Sequence, residues 1–127
     1  MDYHATAAPG DRKACMRLST LFVALSLGGC ASPLAPARQA FAEARYPDAI
    51  EAYRGLRREL PELSQRQLFE YALYRGLSHL ALGDARPAER WLLVAKRLAE
   101  ATPELATLEE QGRLNSAWRA MGHMPGD

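Results

Sequence analysis

Apolar residues fall along this chain in two patterns, and one gives way to the other near residue 30. Before that point, Leu18–Leu27 is a nearly continuous apolar run, with Arg17 in front and Gly28, Gly29 and Cys30 behind. After it, apolar positions recur every three or four residues between Arg, Glu and Gln, which is the spacing of amphipathic helices. Ala, Leu, Arg and Glu dominate this part and β-branched residues are rare, so helices are favoured and strands disfavoured. Residues 31–37 contain Pro33 and Pro36 and read as an extended tether. The first helix is predicted over 36–45. The second starts near Pro47, where a first-turn proline wastes no amide, and runs to Leu60, since Pro61 blocks continuation. The third covers 64–82, opened by Ser64 as N-cap and closed by Gly83. The fourth covers 86–101, with Asp84 as cap and Pro87 in its first turn. The fifth starts at Thr102–Pro103–Glu104 and runs to Met121 before Gly122, leaving His123–Asp127 as a frayed tail. The connections are short, so successive helices should be antiparallel neighbours in αα-hairpins. The fold class is all-α.

The N-terminal run has a different use. As a helix it is about 15 Å long, too short for a hydrocarbon core of about 30 Å. It fits the h-region of a signal peptide behind a basic n-region. Leu27–Gly28–Gly29–Cys30 resembles the lipobox of bacterial lipoprotein precursors: an aliphatic residue, two small residues and a cysteine. That resemblance implies signal-peptidase recognition through Leu27, Gly28 and Gly29, cleavage before Cys30, and lipidation of the Cys30 thiol, whose thiolate is a good nucleophile. Ala31, in place of aspartate, implies export to the periplasmic face of the outer membrane. Several acyl chains would hold firmly where one holds marginally. Met16 would be a natural start, so residues 1–15 are either a long n-region or an overextended reading frame. The expected organisation is a leader over 1–29, a lipidated tether over 30–37, a helical domain over 38–122 and a tail over 123–127.

Charge and cysteine content narrow the rest. Sixteen Lys+Arg against 15 Asp+Glu give a net charge of +1. No basic field calls for nucleic acid. The chain has 2 cysteines; Cys15 lies in the leader and Cys30 is the lipidation residue. No thiol pair is left for a disulfide, and apolar packing must hold the domain together.

A weak internal repeat runs through the helical part. The segment from Ala44 to Tyr53 aligns with that from Gly83 to Leu92, placing Ala49 and Ala88 in register, 39 residues apart. This resembles the tetratricopeptide repeat (TPR), whose usual period is about 34 residues. In the first copy Tyr46 takes the turn position, Ala49 the small position, Tyr53 the aromatic one, and Pro61 closes the unit. In the second, Gly76, Gly83, Ala88, Leu92 and Ala95 follow in step, with an insertion around 62–68 and no proline at the expected close. Small residues let two helices approach, and larger ones fill the space beside them. Two repeats rarely bury enough surface. The last helix, with Leu105, Leu108, Leu114, Trp118 and Met121, is expected to cap the stack, or a second copy of the chain to cover it.

Candidate chemistry is sparse. His79 and His123 are far apart and have no acidic partner at metal-ligand spacing, so no metal or other cofactor is expected. The glycines punctuate helices and form no phosphate loop, and no nucleophile–base set can be assembled. Glu109–Glu110 reads as a solvated face. A binding surface is the better expectation. TPR-like stacks imply a concave face from the first helix of each pair, which gives Arg38, Glu70, Leu73 and Leu77 as partner-binding candidates, although Leu73 and Leu77 also fit a core. Trp91 and Trp118 are further candidates with the same alternative. Arg57–Arg58 reads as a solvated pair within reach of anionic lipid. The expected function is a non-catalytic, lipid-anchored adaptor for an envelope protein in cell-envelope, pilus or secretion assembly. A regulatory subunit of a cell-wall enzyme is an alternative, as is a soluble cytosolic adaptor if the leader is not processed.

Overall fold

The computed structural model describes residues 32–123, and residues 1–31, with the expected leader and Cys30, and the last four residues lie outside them. The described residues are all-helical, with no strand among them. In chain order they form α1 (Ala35–Ala42), α2 (Tyr46–Gly55), a 3-10 segment (Arg57–Glu62), α3 (Gln65–Ala81), α4 (Ala85–Ala101), a second 3-10 segment (Pro103–Leu105) and α5 (Leu108–Ala120). From Pro33 onward they belong to one compact unit.

The local rules that place α3 hold well. Ser64 accepts a hydrogen bond from the Gln67 amide at 3.1 Å, and the Gln67 side chain accepts one from the Ser64 amide at 3.0 Å. This reciprocal capping box satisfies two amides that the first turn leaves free. At the other end Gly83 adopts φ +78°, the left-handed conformation that ends a helix at little cost to glycine. Ala44 does the same job after α1 at φ 58°, where a Cβ makes the conformation unfavourable.

α3 and α4 pack against each other most extensively, and α1–α2 form the second hairpin. Gly76 is the reason α3 and α4 come so close. A Cβ there would lie 2.7 Å from Leu92 Cγ and 3.1 Å from the Leu92 backbone nitrogen. Ala49, Tyr53, Ala88, Leu92 and Ala95 are buried, as are Phe69, Tyr71, Ala72 and Leu73 of α3. Tyr46 is half-buried and meets Phe41 edge-to-face at 5.7 Å, whereas Pro61 is exposed. The Tyr71 hydroxyl donates to the Tyr53 carbonyl at 3.0 Å and ties α3 to the end of α2.

Several boundaries differ from expectation. The tether is shorter, because Leu34 and Ala37 are buried and Pro36 occupies the first turn of α1. A proline is well tolerated there. α2 stops at Gly55, five residues before Leu60, and Pro61 lies inside the 3-10 segment. The Thr102–Pro103–Glu104 signal starts only a 3-10 turn. The last helix begins at Leu108, where Thr107 and Glu110 form a second capping box. Leu108 is consequently not a capping contact but 94% exposed, while Leu114 and Trp118 are buried. His123 is not frayed: its ring stacks on Trp118 at 4.3 Å, and Nε2 lies 2.8 Å from Glu89.

Candidate functional site

α1, α3 and α5 contribute to one side of the unit, and an open groove runs between them. Leu77, Leu80 and Ala81 come from α3, Phe41 from α1 and Tyr46 from the start of α2. The opposite wall is α5, through Gly112, Arg113, Ser116, Ala117 and Ala120. The groove measures ≈ 590 Å³ and its surface is mainly apolar. Gly112, Ser116 and Ala120 recur every four residues and so share one face of α5. Their small side chains set the wall back and leave the groove open.

The groove continues past Phe41 and Arg113 into a polar hollow lined by Arg38, Arg66, Tyr74 and Glu110. Here the cations are already engaged. Arg66 holds Glu110 with two bonds, of 2.6 and 2.9 Å, in a fork that fits a carboxylate. Glu110 also accepts the Thr107 amide at 3.0 Å. Burial pushes the Glu110 carboxyl up, but the bonds from Arg66 and Thr107 outweigh it and hold the group below the usual carboxylate range. Arg38 lies 3.5 Å over the Tyr74 ring and pairs with Glu70 at 3.1 Å. Its Nη1 is buried without a hydrogen-bond partner among the described residues. Arg113 pairs with Glu109 at 2.8 Å and reaches over Phe41 at 5.7 Å. Its pKa is raised by the bond to Glu109. Each arginine of the hollow pairs with a carboxylate, so the hollow offers little net charge beside the mainly apolar groove.

No family model matches this chain, no curated protein matches it, and no solved structure matches it.

The structure separates the four candidate partner-binding residues. Leu77 lines the groove and Arg38 its polar end. Glu70 is half-buried and holds Arg38 in place. Leu73 is fully buried and has no surface to present. Glu110 overturns the solvated reading of Glu109–Glu110, since it is buried and paired across the fold, whereas Glu109 is exposed. Trp118 is buried against His123 and Lys96, and Trp91 is half-buried beneath Arg75 at 4.5 Å. Neither lines the groove. Residues 27–30 lie outside the described residues.

Elsewhere, His79 is buried near the α3–α4 turn, with Nδ1 3.5 Å from Asp84. Burial lowers its pKa, and Asp84 offsets part of that shift. Among the described residues, no cluster of three His, Cys, Asp or Glu could hold a metal ion, and no helix is long and apolar enough to cross a membrane.

The groove residues Phe41, Leu80, Gly112, Ser116 and Ala120 are absent from the expectations drawn on sequence. The small-residue spacing of α5 was readable. What that spacing does not encode is the neighbour it faces, since Phe41, Leu77 and Leu80 are brought opposite it only by tertiary packing.

Proposed function

We propose that this chain is a non-catalytic adaptor that binds a protein partner and is held at a membrane by lipid on Cys30. The groove between α1, α3 and α5 carries this reading. It is apolar, open, and built from three helices of one packed core, which suits an extended or helical segment presenting apolar side chains. The neutral pairing of Arg38, Arg66 and Arg113 favours such a segment over a strongly acidic one. A TPR-like stack is the arrangement we favour. Its support is the alignment of Ala49 with Ala88, the burial of both, and the close approach at Gly76. The lipobox-like Leu27–Gly28–Gly29–Cys30 supports the anchor, and Ala31 supports the periplasmic face of the outer membrane. Work in cell-envelope, pilus or secretion assembly follows from that address by analogy.

Metabolic labelling with palmitate tests the anchor. The wild-type chain should incorporate label and Cys30→Ser should not, and equal labelling of the two would remove the anchor from the proposal.

A further inference from the structure

We infer that the outward face of α4 is a second, electrostatic contact for an anionic lipid surface. Arg86, Arg90 and Arg97 are all exposed. At about 100° per residue they fall within about 40° of one another, and they span about 16 Å along the helix. The opposite face is the buried stripe of Ala88, Leu92, Ala95 and Ala99, so the arginines point straight away from the core. Most other arginines in the unit are locked: Arg38, Arg45, Arg54, Arg66 and Arg113 each hold a carboxylate. Among the described residues, Arg86, Arg90 and Arg97 form no ion pair, hydrogen bond or ring contact. Of the two acids on α4, Glu100 is paired with Lys96 at 2.9 Å, whereas Glu89 is bonded to His123 at 2.8 Å and is the one carboxylate left beside the row. Three guanidiniums without a direct partner therefore stand in a row, with Glu89 the one acid of α4 left beside them.

The chemistry of that row selects its partner. Guanidinium groups bind phosphate oxygens as planar forks. Leu93 and Val94 lie half-buried alongside the row and add apolar contact at a headgroup boundary. Single-stranded nucleic acid would call for exposed aromatics to stack on bases. None lies on this face, because Trp91 is turned toward Tyr71 at 5.3 Å. A lipid surface rich in phosphate is the better match. The contact adds to the anchor proposed for Cys30 and does not depend on it.

The test uses the full chain carrying Cys30→Ser, so that acylation contributes nothing. Binding is measured by sedimentation with vesicles of phosphatidylcholine alone and of phosphatidylcholine mixed with phosphatidylglycerol. The mixed vesicles should bind more tightly, and the difference should shrink as salt is added. Replacing all three arginines by glutamine should weaken binding to mixed vesicles by about 100-fold, at roughly five-fold per arginine. Replacement by lysine should keep most of it, and thermal unfolding should show both variants folded. Equal binding to the two vesicles, an unchanged glutamine variant, or preferential capture by duplex DNA would each overturn the inference.

Discussion

Gly76→Ala should destabilise this protein, although alanine is the better helix former. The position is buried in the middle of α3. The new Cβ would stand 2.7 Å from Leu92 Cγ and 2.9 Å from Leu92 Cδ2, with the Leu92 backbone nitrogen at 3.1 Å. Leu92 is fully buried and cannot swing aside, and its backbone cannot move without moving α4. Forcing a methyl into such a contact costs about 1–3 kcal/mol. Alanine returns about 1 kcal/mol through helix propensity. The net expectation is a loss of up to about 2 kcal/mol, with Tm lowered by roughly 4–8 °C for each kcal/mol in a domain of this size. Gly112→Ala is the matched control. It is helical and exposed, and a Cβ there would meet nothing within 4 Å, so it should gain about 0.5–1 kcal/mol. Urea and thermal unfolding followed by circular dichroism read both. Gly76→Ala must come out less stable than Gly112→Ala by the steric cost, about 1–3 kcal/mol. A second check uses Leu92→Ala, which alone should cost about 2–5 kcal/mol. Because it removes the clashing Cγ and Cδ2, the double variant should be less destabilised than the sum of the singles. If Gly76→Ala stabilises as much as Gly112→Ala, the close approach of α3 and α4 is wrong.

Three further outcomes follow from the geometry. Burial lowers the His79 pKa below its unfolded value, so the unfolded chain binds more protons in the interval between the two. Stability should be full above the unfolded pKa of about 6.5 and fall as pH drops through it; His79→Leu should flatten the ΔG–pH profile in that window, and an unchanged profile would count against the buried site. Arg66→Ala leaves Glu110 buried without its fork and should cost about 1–3 kcal/mol in urea unfolding, with Glu110→Gln recovering part of the loss when the two are combined. Ala44→Gly removes a left-handed alanine and should raise stability by about 0.5 kcal/mol, after allowing for the greater freedom of glycine in the unfolded chain; a loss would mean that φ 58° is not held in solution.

Local signals with one dominant cause were legible before the structure. Ser64 and Gly83 bracket α3 because a capping hydroxyl and a left-handed glycine act within a single turn. Competing signals were not. Thr102–Pro103–Glu104 and Thr107–Leu108–Glu109–Glu110 both open helices on paper. The second prevails because Glu110 also completes a fork with Arg66, 44 residues away. That partnership depends on tertiary packing, and it is why Glu110 is buried although it reads as solvated. Pro36 is similar: prolines signal an extended tether, but the burial of Leu34 and Ala37 draws this one into a first turn. The groove was half legible. Leu77 and Arg38 follow from the helix-pair pattern, whereas Phe41 belongs to it through an edge-to-face contact with Tyr74 at 4.9 Å, which no spacing rule encodes.

The adaptor reading stands or falls on whether the α1–α3–α5 groove is occupied by a partner in the cell. A photo-crosslinking amino acid placed at Leu80, in the groove, and at Arg90, on the outward face of α4, asks this directly in living cells. Position 80 should give one discrete protein adduct that disappears when Ser116→Arg fills the groove, and position 90 should not give that adduct. No adduct from position 80, or the same adduct from both positions, would contradict a partner seated in the groove.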